Sequence, residues 1–154
     1  MKYSILLLLL GAIWISPVQA AGGSCTVLSG AGATLVDFGV YNAVMGDADG
    51  SGSINLICTP ALPAVQVTYA IAISTGGAGR FNPRRLGAGG FSLAYNLYVD
   101  PSRLLIWGDA SAGTSVVSGA CTGTCQVSVY GRIFGGQAVP AMQYRDDVLV
   151  TLEF

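Results

Sequence analysis

The chain has 154 residues, of which 7 are Lys or Arg, 8 are Asp or Glu, 22 are glycine and none is histidine, for a formal net charge of −1. That length suits one domain of ordinary size, and a charged share of 10% lies well below the roughly 25% usual in soluble domains. With no basic surplus there is no electrostatic footprint for nucleic acid, and with no imidazole there is no Ser-His triad, His-ligated metal or histidine pH switch.

In chain order, Lys2 precedes an eleven-residue apolar run from Ile5 to Ile15, and Val18-Gln19-Ala20 places small residues where a signal peptidase cuts. This predicts a secretory signal peptide over residues 1–20 and one domain over 21–154. The run is too short for a bilayer span, which needs about 20 apolar residues, and no later run is longer, so the mature chain is expected to carry no transmembrane segment. It keeps six arginines, eight acids and no lysine.

Past the leader the hydrophobic period is two. Strand-like stretches are Thr34 to Val40, Ser53 to Cys58, Val65 to Ile73, Leu93 to Val99, Leu104 to Trp107, Gln126 to Ile133 and Val148 to Phe154. The clearest are Val65, Val67, Tyr69, Ile71 and Ile73 alternating with small or polar residues, and Val148, Val150, Leu152 and Phe154 doing the same. Between them lie turn-rich stretches, Gly46 to Gly52, Ser74 to Gly79, Gly87 to Gly90 and Gly108 to Gly113. No segment sustains a 3.6-residue period with caps. The pattern predicts an all-β fold, a single immunoglobulin-like β-sandwich.

Cys25, Cys58, Cys121 and Cys125 form an even set in a chain with an export signal, which favours disulfides. Four cysteines allow three pairings. Cys25 with Cys58 is favoured because each lies on a strand-like segment, and Cys121 with Cys125 because Thr122-Gly123-Thr124 can fold back tightly. Their spacing matches no standard zinc pattern.

Motifs with chemical potential fail one by one. Asp47-Ala48-Asp49-Gly50-Ser51-Gly52 imitates the start of an EF-hand loop, yet the closing position is Cys58 and no helix flanks it; a solvated hairpin loop is expected instead. Asp146 and Asp147 are neighbours on a strand and point to opposite faces. Gly76-Gly77-Ala78-Gly79 has no lysine after it for a phosphate. No serine has a base to activate it. Arg80, Arg84 and Arg85 read as solvated groups on a strand edge. Tyr95, Tyr98, Trp107 and Tyr130 could stack on sugars, with sandwich packing the favoured use. No catalytic residue, metal or cofactor is expected, and the chain reads as no enzyme.

The order of these elements carries more than any one of them. Cys25, Phe38-Gly39-Val40-Tyr41, Cys58-Thr59, Tyr69 to Gly76, Arg84-Arg85-Leu86, Leu93 to Asp100, Trp107-Gly108-Asp109, Tyr130-Gly131-Arg132-Ile133, Gln137 and Tyr144-Arg145-Asp146 running into Val148 to Phe154 together resemble the spore coat protein U family. That family includes subunits of archaic chaperone-usher pili. Cys121 and Cys125 look like an addition to its pattern.

The resemblance implies an incomplete immunoglobulin fold that lacks its last strand. A groove would run between a first strand at Thr34 to Val40 and a C-terminal strand at Tyr144 to Phe154, edged by Leu35, Val36, Phe38, Val148, Val150, Leu152 and Phe154. A periplasmic chaperone would fill it, and the N-terminal extension of a neighbouring pilus subunit would replace the chaperone strand at the outer-membrane usher, a form of β-strand addition. The chain would serve adhesion or biofilm formation, passing through the periplasm to the cell surface. A donated strand with its linker needs roughly ten residues, whereas only Ala21 to Ser24 separate Ala20 from Cys25. The expectation is therefore a subunit that accepts a strand without donating one, at a pilus tip. The alternatives are a secreted coat-like structural protein outside a pilus, and a tip adhesin that binds a surface glycan.

Overall fold

Eight strands arranged as two facing antiparallel sheets make up the fold in a computed structural model, which describes residues 22–28, 36–63 and 65–154. They are β1 (Gly23–Val27), β2 (Ala48–Pro60), β3 (Val67–Ile73), β4 (Arg84–Ala88), β5 (Phe91–Tyr98), β6 (Val117–Cys121), β7 (Gly123–Ile133) and β8 (Val150–Glu153). The larger sheet has the order β1-β2-β7-β5-β4 and the smaller β6-β3-β8. The predicted signal peptide falls outside the described residues. Among the described residues no helix is long and apolar enough to cross a membrane.

Alternation explains which faces meet. Val67, Ile71 and Ile73 on β3, Ile54 and Leu56 on β2, Leu93, Tyr95 and Leu97 on β5, and Val127 and Val129 on β7 all turn into one core, each large side chain contributing about 1.5–3 kcal/mol by leaving water. On β5 the alternation ends at Tyr95, since Asn96 and Tyr98 are buried too.

The two sheets are tied at both ends. Near one end β6 passes into β7 through Thr122, and Gly123, at φ 74°, takes the left-handed turn that moves the chain from the smaller sheet to the larger. The Cys121–Cys125 disulfide spans that switch, with Cα atoms 6.1 Å apart. Cys25 and Cys58 are cross-strand partners in the β1–β2 ladder and are joined by the second disulfide. At the other end residues 105–108 stitch β5 to β3: Val99 N donates to Leu105 O, Trp107 N to Leu97 O, and Ile73 N to Gly108 O. Trp107 is fully buried there, its indole N–H donating to Ile71 O at 2.9 Å.

Two expectations are corrected. Asp47 to Gly52 is no hairpin loop, because β2 already begins at Ala48 and pairs with β7 from Ala48↔Ile133 onward. The register sets Asp49 opposite Arg132, whose Nε and Nη2 donate to the carboxylate at 2.7 and 2.9 Å. Arg84 is no solvated edge residue but is fully buried. Its guanidinium donates to Ser74 O from Nε and Nη2, to Trp107 O from Nη2 and to Asn96 Oδ1 from Nη1, at 2.7 to 3.1 Å. Three oxygens thereby replace the hydration that burial removes, and burial pulls its pKa down from the ordinary arginine value.

Candidate strand-acceptor edge

The chain entering β8 is stapled to both sheets before the strand begins. Gly87 N donates to Arg145 O at 2.7 Å and Arg145 N returns to Gly87 O at 3.1 Å, which docks this segment on β4. The Asp146 carboxylate accepts from the Tyr95 hydroxyl and from Gly77 N, both at 2.8 Å. Burial, reinforced by that carboxylate, pushes the Tyr95 phenol far above its usual range, so it stays a donor. Ser74 then takes over: its N donates to Leu149 O, and its Oγ accepts from Leu149 N, both at 2.9 Å.

Beyond Leu149 the strand has one partner. Val150 to Glu153 pair with Ile73 to Ala70 of β3, and among the described residues nothing pairs with the other edge of β8. Val148, Val150 and Leu152 turn inward and are only half buried, packed against the core from one side. Leu149 and Phe154 are 69% and 60% exposed. Among the described residues β1 also pairs on one side alone, with β2, and lies close to β8 and β3. Two one-sided strands, one from each sheet, thus run close together, with Val27, Val150 and Leu152 only half buried on them. Unpaired backbone beside half-covered apolar side chains is the geometry that strand addition completes.

Of the residues expected to edge such a groove, Val148, Val150, Leu152 and Phe154 fall on or beside β8. Leu35 lies outside the described residues. Val36 and Phe38 are not on a strand: in residues 36–40 the chain makes one isolated bridge, Asp37 to Ser51, and Gly39 turns at φ 64°. Phe38 instead fills the space left by two glycines paired across β2 and β7. A Cβ at Gly131 would lie 2.6 Å from its ring and one at Gly50 2.9 Å away. The ring meets Tyr95 edge-on at 6.0 Å. The strand that lies beside β8 among the described residues is β1, whose short Gly-Ser-Cys-Thr-Val run shows little alternation; its signal in the sequence was Cys25, which pairs opposite Cys58.

Of the aromatic set expected to pack, three members do so and Tyr130 does not enter the core. Tyr95, Tyr98 and Trp107 are buried, and Tyr130 is half covered by the Arg103 guanidinium, 6.0 Å above its ring. Arg103 and Arg132 converge on Asp49, which Arg132's hydrogen bonds hold below the usual carboxylate range. This small ion network engages the carboxylates that had imitated a calcium loop.

Comparison with known proteins follows the same lines. The model of the Spore Coat Protein U domain matches residues 12–151. The chain belongs to the Spore Coat Protein U domain family. It is 36% identical over 143 residues to Protein U of Myxococcus xanthus, covering 86% of this chain and 79% of that protein. Among solved structures it resembles a chain of the crystal structure of the CsuC-CsuE chaperone-tip adhesion subunit pre-assembly complex from archaic chaperone-usher Csu pili of Acinetobacter baumannii. The TM-score is 0.58 at 21% identity, over 85% of this chain and 39% of that one, a likeness of fold. The immunoglobulin-like sandwich of this Spore Coat Protein U domain is thus shared with a pilus-assembly complex.

Proposed function

We propose that this domain is an exported structural subunit of a chaperone-usher type surface fibre, without enzymatic activity, that accepts a β-strand along the outer edge of β8. The observation that carries the proposal is that, among the described residues, β8 and the nearby β1 each pair on one side only, with Val148, Val150 and Leu152 half buried against the core. A donor strand with alternating apolar residues would supply both the missing hydrogen bonds and the missing half of that packing. Its sources are a periplasmic chaperone first and a neighbouring subunit later, exchanged at an usher.

A position at the tip is the finer reading. An adhesive role is supported at the end of the sandwich away from the disulfides. There the 40–45 loop exposes Val40, Val44 and Met45 at 96%, 89% and 80%. Apolar side chains presented this openly suit contact with a surface. A glycan ligand would need a platform other than Tyr95, Tyr98 and Trp107, which are interior.

A secreted coat-like role outside a pilus is the second reading, favoured by membership of the spore coat family. Co-expression with the chaperone and usher of an archaic chaperone-usher system separates the two. The pilus reading expects a one-to-one periplasmic complex with the chaperone and later display at the fibre end. Chain that is secreted free of chaperone, or spread along the shaft, would reject it or its tip assignment respectively.

A further inference from the structure

β6 is the outer strand on the far side of the smaller sheet, and among the described residues it pairs with β3 alone. Native edge strands are normally blunted by charge, proline, a bulge or a covering segment. The β4 edge follows that rule, since it carries Arg85 and is bridged by Arg145, and the β8 and β1 edges are the ones assigned above to strand acceptance. From Ala110 to Gly131 there is no charged residue and no proline. β6, Val-Ser-Gly-Ala-Cys, sits in the middle of that stretch.

We propose that β6 pairs with β6 of a second copy of this chain, antiparallel about a two-fold axis at Gly119, so that two three-stranded sheets become one of six strands. A two-fold contact requires a strand that tolerates itself reversed, and β6 does. Centred on Gly119, residue 118 of one copy stands opposite residue 120 of the other, and residue 117 opposite 121. Exposed Ser118 and Ala120 then meet as small neutral groups on one face, and Val117 meets Cys121 on the other, with no like charges opposed. The edge is also held in shape in advance. Tyr69, the ladder partner of Gly119, lies where a Cβ on that glycine would stand 2.6 Å from its hydroxyl, and the Cys121–Cys125 bridge fixes the strand's end. An edge already ordered loses little freedom on pairing.

A contact of five residues is weak alone and gains by repetition when many subunits share one fibre or coat. It uses a different strand from β8, so lateral pairing and strand acceptance coexist on one subunit.

The test is sedimentation velocity of the exported chain, purified with whatever strand it carries, over a wide concentration range. The wild type is expected to move toward twice its mass as concentration rises, and Ser118→Lys to require at least about tenfold more protein for the same shift. Ala120→Lys, on the same exposed row, is the second variant should Ser118→Lys lower the unfolding midpoint. Co-expressed Ser118→Cys and Ala120→Cys chains are expected to form a mixed disulfide between copies, identified by peptide mass spectrometry. A wild type of constant mass, lysine variants that associate as the wild type does, or cross-links joining 118 to 118 in preference to 118 to 120 would each overturn the proposal.

Discussion

Replacing Arg84 by Met tests the buried polar anchor on which the acceptor edge depends. The substitution keeps most of the aliphatic volume but removes every donor, leaving Ser74 O and Trp107 O without the guanidinium that satisfies them, while Asn96 Oδ1 keeps the Leu97 N–H. Each buried acceptor left unpaired costs about 1–3 kcal/mol, so two set a loss of at least about 2 kcal/mol, against a total stability of roughly 5–15 kcal/mol for a domain. With a urea m-value of about 2 kcal/mol per molar, the unfolding midpoint should fall by about 1 M or more. Ser74 also holds Leu149 through two hydrogen bonds, so the start of β8 should loosen with it, seen as faster amide exchange at residues 149–153. Arg85→Met is the control, because that exposed side chain makes one hydrogen bond, to Ser92 Oγ, and surface changes stay within about 0.5 kcal/mol. An Arg84→Met protein that loses less than about 1 kcal/mol, or no more than Arg85→Met does, would refute the role given to this residue.

Removing the Cys25–Cys58 bridge should destabilise more than removing Cys121–Cys125, because the separations are 33 and 4 residues; loop-closure entropy gives about 4 against about 2 kcal/mol, measured by urea unfolding of the two Cys→Ala pairs. Trp107→Ala should cost about 3–5 kcal/mol, read from the thermal midpoint, because the ring is interior and its N–H bonds Ile71 O. The Asp49 carboxyl is held below its ordinary value by Arg132, so its contribution is full above the unfolded carboxylate pKa of about 4 and is lost as pH falls through the lower folded value. Stability should decline on acidification below about pH 4, and Asp49→Asn should flatten part of that decline in urea midpoints taken from pH 6 to pH 2.5. The effect should be small, since the carboxylate is 39% exposed and solvent screens it.

The strands with strong alternation were readable in advance because one face is core and the other is not. Val65 to Ile73 narrows to β3 and Val148 to Phe154 to β8, each within the predicted stretch. Three features were hidden for separate physical reasons. Asp47 to Gly52 has turn composition, and only the cross-strand Arg132 makes a strand of it. Arg84 carries a charge that marks it as exposed, whereas the oxygens that solvate it come from residues 74, 96 and 107, which proximity in sequence does not gather. Phe38 belongs to an apolar run of strand length, but the holes it fills are made by Gly50 and Gly131, and their facing each other is a matter of register. The acceptor edge was legible in part: β8 from its period, but not its partner flank, since β1 is too short and too small in side chain to show one.

The central claim is that β8 awaits a strand. Hydrogen exchange at the Val150 to Glu153 amides, measured by mass spectrometry for the chain alone and for the chain co-purified with its chaperone, tests it most directly. Strong protection appearing in β8 and β1 on chaperone binding, with the β4–β5 hairpin unchanged, is the predicted result. Protection that appears elsewhere while β8 exchanges as before, or a β8 already fully protected in the isolated chain, would contradict it.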